Sequence, residues 1–279
     1  MRPLKIIAIL CLVASATSSF ARSDESCNDG AGRFERKFGN YALQVSPAQG
    51  EERTCRAVLR SADGREVFSA SDTTITLEPI SGSSVTNDGE RSVVLEGFSG
   101  GAHCCWRYWI VDVGNPARLV KEIGNQTGIA FEHERDGRVV MKTGDGAFDY
   151  FDDLAHAFSP IPLVYLQLEK TTLKDVSPQF LQVYDRNIEE MRQLLTPEKL
   201  ERFTSGQLPA ATLGDADVDW MTTKSHVLMI VLDYLYSGRE QQAWNTLDEM
   251  WPANDRERIS QLIVETRAKG VLSHTVNGR

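Results

Sequence analysis

Basic residues are in short supply in this chain. There are 30 Lys and Arg against 39 Asp and Glu, a net charge of −9. A surface of that sign repels phosphate backbones and anionic headgroups, so nucleic acid is not an expected partner, nor is a membrane surface. Long apolar runs are equally scarce. One lies inside the first 21 residues, and no later stretch approaches the ~20 residues that span a bilayer. Cysteine is sparse, with five residues and no Cys-x-x-Cys pair, which removes the usual dithiol redox pattern. There is no phosphate loop, no dinucleotide fingerprint and no His-Glu-x-x-His. No internal repeat is visible. These absences leave no catalytic residue, cofactor or metal to assign from motif alone.

The amino terminus reads as a secretory signal. Arg2 and Lys5 precede the apolar run Ile6-Ile7-Ala8-Ile9-Leu10-Cys11-Leu12-Val13-Ala14, and Ser19 and Ala21 place small residues at −3 and −1 of a cleavage site. Leu10 before Cys11 departs from a lipoprotein pattern, so no lipid anchor is expected. Cleavage after Ala21 would remove two basic and no acidic residues, taking the net charge to −11. The expected location is the periplasm, with extracellular release as the alternative. Cys27, Cys55, Cys104 and Cys105 would remain. An even number in an exported chain argues for disulfides, and three pairings are possible. Cys27–Cys55 with Cys104–Cys105 is the favoured one, because the first bridge would tie a Gly-rich amino terminus to the sheet.

The fold class expected is α+β. Residues 22–177 read as an antiparallel β-rich unit and residues 178–279 as a small helical unit, after the signal at 1–21. Short β-type runs such as Tyr41–Val45, Ser92–Phe98 and Trp106–Val113 alternate with turn signals such as Ala62-Asp63-Gly64 and Asp136-Gly137. A meander, a sandwich and propeller-like blades all fit that pattern. Beyond Ser177-Pro178 the apolar period changes from two to about 3.6. Thr196-Pro197 reads as an N-cap followed by a first-turn proline. Gly206–Gly214 reads as a loop. Thr222–Ser237 and Arg239–Met250 read as a helical hairpin turning at Gly238, and Asn254 as the cap of a last helix ended by Gly270.

Two resemblances follow. Tyr234, Gly238, Ala243 and Leu247 are spaced as in a tetratricopeptide repeat, with Val231 in place of the usual small residue and Pro252 earlier than usual. The hairpin therefore resembles a single such repeat, and this implies a surface for a protein or peptide. Gly100-Gly101-Ala102-His103-Cys104-Cys105 is the most unusual tract in the chain. Together with Asp145–Phe151 and Ser159–Val164, it resembles a signature of uncharacterised exported bacterial proteins. That resemblance implies export and a β-rich context, and brings no activity with it.

The tract supports several chemistries. Gly100, Gly101, His103, Trp106, Tyr108 and Trp109 could form a binding platform, with Trp106 and Tyr108 on one strand face and Trp109 on the other. One face is expected in the core and the other exposed. Alternatively His103, Cys104 and Cys105 could make a redox centre, since adjacent cysteines close a strained ring, or a metal centre with His133 or His156. The simplest reading is a structural turn. The carboxylates Asp145, Asp149, Asp152 and Asp153 do not match a calcium loop and read as a solvated loop. The function expected is a non-catalytic binding or assembly protein of the cell envelope. An envelope enzyme centred on His103, Cys104 and Cys105 is the alternative.

Overall fold

The computed structural model describes residues 25–51, 53–101, 105–206 and 215–275. The expected signal and the 206–214 loop, apart from Gly206, lie outside them. Among the described residues the chain forms thirteen strands and then five α-helices, an α+β protein. The first strands are β1 (Ser26–Asn28), β2 (Phe34–Phe38), β3 (Tyr41–Pro47), β4 (Cys55–Ser61), β5 (Glu66–Asp72) and β6 (Thr74–Leu77). They are followed by β7 (Ser92–Phe98), β8 (Trp106–Asp112), β9 (Arg118–Asn125) and β10 (Ala130–His133). β11 (Val139–Gly144), β12 (Leu163–Glu169) and β13 (Thr172–Asp175) complete the β part. Every pairing is antiparallel, in three sheets ordered β2-β3-β4-β5, β1-β6-β7-β8-β9 and β10-β11-β12-β13.

The central strands of the middle sheet, β7 and β8, are largely buried on both faces, and side-chain alternation explains how. Val93, Leu95, Trp109 and Val111 point into a core shared with Leu43, Val45, Ala57 and Leu59 of the first sheet. Val94, Tyr108 and Ile110 point the other way, into a core shared with Met141 and Leu166 of the third sheet. Asn87, in the left-handed region at φ 55°, stitches these layers: its side chain bonds Val85 O, Val139 N and O, and Leu168 O. The Cys27–Cys55 disulfide links β1 to β4, and so the middle sheet to the first.

The helices are α1 (Leu181–Leu194), α2 (Pro197–Thr204), α3 (Asp215–Tyr236), α4 (Glu240–Met250) and α5 (Arg256–Arg267). Thr196 caps α2 as expected, its hydroxyl accepting from Lys199 N, with Pro197 at the first position. Gly238, at φ 79°, makes the α3–α4 corner. The cap of α5 is Asp255, not Asn254. Its carboxylate is drawn to Arg258 and to Trp251 Nε1, so it bonds no helix N–H. All strands precede Ser177 and all α-helices follow it, yet one buried cluster contains Tyr165 and Leu168 together with Tyr184, Leu228 and Ile263. The third sheet and the helices share that core. Among the described residues no helix is long and apolar enough to cross a membrane.

Candidate functional site

The Gly-Gly tract leaves the end of β7 and returns into β8. Phe98 and Trp106 face each other across this hairpin, their rings 4.4 Å apart, and close its base. Ser99 N and Oγ both donate to Cys105 O, at 3.3 and 3.4 Å, and Thr73 Oγ1 donates to Ser99 O at 3.1 Å. Gly100 and Gly101 sit at φ 79° and 128°, where a side chain would be strained. Ala102, His103 and Cys104 lie outside the described residues. Cys105 is exposed and disulfide-bonded, and the expected Cys104–Cys105 pairing falls on a residue outside those described.

A cavity of about 340 Å³ opens on one side of this turn. Ser99, Cys105, Trp106 and Arg107 form one wall, Asn125 and Gln126 continue it, and Lys269, Gly270, Val271 and His274 form the opposite wall. A second cavity of about 500 Å³ lies against Gly100, Gly101 and Arg53. Of the aromatic candidates, only Trp106 is partly open. Tyr108 and Trp109 are 0 % and 4 % exposed, so the expected exposed face does not exist. The cause is the middle sheet's position between two others, which buries both faces of β8. Tyr108 Oη donates to Glu96 and accepts from Ile129 N, and burial together with Glu96 pushes its pKa up. Trp109 lies so close to Gly97 that a Cβ there would be 2.7 Å from the ring. The two rings thus belong to the cores on opposite faces of β8. Arg107 faces Glu122 at 3.5 Å and lies over the Trp109 ring. Burial raises the pKa of Asp72 at the cleft edge, against the opposing effects of Thr73 N–H and Arg107.

Asp145 holds the far wall in place. It is 1 % exposed, and its Oδ1 accepts from Ala147 N at 3.1 Å and from Val271 N at 3.2 Å. Its Oδ2 accepts from Tyr236 Oη at 2.6 Å. A Cβ on Gly270 would overlap this carboxylate, although Gly270 has an ordinary φ of −77°. Gly270 is therefore required for space rather than as a helix-ending left-handed residue.

Of the other carboxylates of the 145–153 run, Asp149 and Asp152 are drawn inward and only Asp153 is exposed as a solvated loop would have it. Asp149 accepts from Ser159 Oγ and pairs with His156 Nδ1 at 2.7 Å. Asp152 binds Lys224 Nζ at 2.7 Å and takes Arg258 bidentately at 2.6 and 3.0 Å. Burial opposes ionisation of Asp152, but Arg258 and Lys224 outweigh it and hold its pKa below the usual value. Tyr150, Asp152 and Asp153 all have positive φ, and the resulting sharp turns send Asp152 inward. Asp145, Asp149 and Asp152 each have their own partners, and among the described residues no group of three His, Cys, Asp or Glu is placed to hold a metal. His133 Nε2 lies 3.3 Å from Ser83 Oγ.

One motif match carries no chemistry here. Gly97-Phe98-Ser99-Gly100-Gly101 fits Gly-x-Ser-x-Gly, but a nucleophile elbow needs a strand-to-helix turn. Ser99 instead sits in an antiparallel hairpin with its hydroxyl donated to a carbonyl. Comparison with family models, curated proteins and solved structures returns no match.

Proposed function

We propose that the protein is exported to the bacterial cell envelope and there binds a protein or peptide, without catalysis, at the cleft beside the Gly-Gly turn. The observation that carries this reading is the composition of the cleft. Partly exposed Trp106, backed by Phe98, stands beside Arg107 and Asn125 and opposite Lys269. An aromatic surface flanked by a few polar groups on a rigid sheet end is what recognition sites use. Glycine backbone at the turn lets a partner's main chain approach. The Cys27–Cys55 bridge is compatible with an oxidising compartment, and the likeness of the tract to exported proteins supports the same location.

Site-specific photocrosslinking in intact cells tests the proposal. A photoreactive side chain at Gln126 should give a defined protein adduct that Trp106→Ala removes. The same group at Lys37, on the distant β2, should give none. Equal adducts at both positions, or none at Gln126, would count against the cleft.

A second reading, an envelope enzyme with a redox or metal centre at His103, Cys104 and Cys105, draws on the exposed, disulfide-bonded Cys105 in the cleft wall. Thiol titration of the native, unreduced protein separates the two. Reactive free thiols would favour the enzyme, whereas none without denaturation would favour the binding protein.

A further inference from the structure

The helical unit carries a second surface, remote in sequence from the Gly-Gly turn. Two depressions of about 270 and 680 Å³ adjoin between α4 and α5, sharing Trp244 and Val264. Together they make one groove. Leu247 and Ile263 lie buried beneath it, Trp244 is half-buried, and Val264 is 55 % exposed, more than any other large hydrophobic among the described residues.

The groove's charge is net negative. Glu240 and Asp248 from α4, and Glu257 and Glu265 from α5, stand along it. Two basic residues, Arg256 and Arg267, also line it and keep their charge, so the balance on the two helices is four carboxylates against two guanidinium groups. Arg256 Nε donates to Trp251 O at 3.2 Å, and the Arg267 guanidinium lies 5.3 Å over the Tyr236 ring. Among the described residues Asp248 and Glu257 form no ion pair. The groove therefore joins an apolar floor at Trp244 and Val264 to carboxylates on both helices, a combination that suits a ligand with apolar and basic groups on one face.

We infer that this groove docks an amphipathic segment of a partner protein. The segment would place an apolar side chain against Trp244 and Val264, and Lys or Arg on either flank against Asp248 and Glu257. Charge complementarity selects this occupant, and the net −9 of the chain would speed encounter with a basic segment. A second copy of the chain fits less well, because its own groove would bring the same acids against these. The inference is independent of the Trp106 cleft.

The test uses the full chain and a defined probe: a fluorescein-labelled helical peptide with leucine at i, i+3, i+4 and i+7 and lysine elsewhere. A leucine–glutamate peptide of the same pattern is the control. Fluorescence anisotropy should show binding of the lysine peptide only, weakened by salt. Val264→Asp and the pair Asp248→Lys with Glu257→Lys should each weaken it by about tenfold or more. Trp106→Ala should leave it unchanged. Val264, Asp248 and Glu257 are all exposed, and circular dichroism should confirm that the variants fold. An affinity unmoved by these substitutions, or equal binding of the glutamate peptide, overturns the inference. So does a dimer of the unmodified chain that Val264→Asp converts to monomer, since the occupant would then be a second copy.

Discussion

Replacing Gly270 by Ala should damage this protein far more than a methyl group usually does, and the damage should vanish when Asp145 is shortened. Gly270 has a φ that any residue adopts, so alanine brings no backbone strain. Its Cβ would instead overlap the Asp145 carboxylate. That carboxylate cannot retreat without releasing Tyr236 Oη and the amides of Val271 and Ala147. A buried donor left unpaired costs about 1–3 kcal/mol, so losing two or three of these bonds should cost roughly 3–5 kcal/mol. For a chain of this size that is a fall in Tm of about 10 °C. Urea unfolding followed by tryptophan fluorescence would measure it. Asp145→Ala alone should cost a similar amount, for the same lost bonds. The double variant should then cost little more than Asp145→Ala, leaving a coupling of about 3 kcal/mol. Gly270→Asn should be no better tolerated than Gly270→Ala, whereas a left-handed helix-ending glycine would accept asparagine. Losses that add to within about 0.5 kcal/mol would refute the steric argument. Because Lys269 and His274 flank this contact on the cleft wall, the same substitution should also weaken photocrosslinking from Gln126.

The local grammar of the chain was readable where local forces decide the structure. The Asp136-Gly137 and Asp63-Gly64 turns, the Thr196-Pro197 helix start and the Gly238 corner all form as their residue types demand. Three strands carry only weak local signals. β2, Phe-Glu-Arg-Lys-Phe, is a polar edge strand, and β1 and β13 have only three and four residues. β1 is held by pairing with β6 and by the disulfide, both of them distant in sequence. α3 begins at Asp215, seven residues before the expected start. Its centre is buried on nearly all sides, at Val227, Leu228, Ile230, Val231 and Leu232, so it lacks the one-sided period that marks a helix on a surface.

The site was half legible for a related reason. Alternation correctly separated Tyr108 from Trp109, but an antiparallel strand usually has one solvated face, and this one has none. The layers that cover it come from β3 and β4, some fifty residues upstream, and from β11 and β12 downstream. Asp145 stands between two glycines, which hints at a crowded position, but its partners Tyr236 and Val271 lie 91 and 126 residues away. No spacing rule connects residues at that range.

Three further outcomes are expected. The Cys27–Cys55 bridge closes a 28-residue separation between two fully buried cysteines, so replacing both by Ser should cost about 3.5 kcal/mol in urea unfolding, and a loss below about 1 kcal/mol would contradict that. Mass spectrometry of the exported protein should find Arg22 at its amino terminus, and a retained Met1 or a lipid on cysteine would refute cleavage after Ala21. The last concerns Asp233 of α3, which is fully buried. Burial raises its pKa from 3.8 to about 7, against the weaker opposing influence of Arg239 and Asn187. The unfolded chain therefore ionises this group several pH units before the folded protein does. Below about pH 4 both states hold the proton and Asp233 carries no penalty. Between about pH 4 and pH 7 stability should fall as pH rises, by up to about 4 kcal/mol in total, and above pH 7 this contribution should level off. Asp233→Asn keeps the shape without the charge, so it should be the more stable protein at pH 8 and should flatten the slope between pH 4 and 7. An Asn variant with the same slope as the parent would show that Asp233 is not the group responsible.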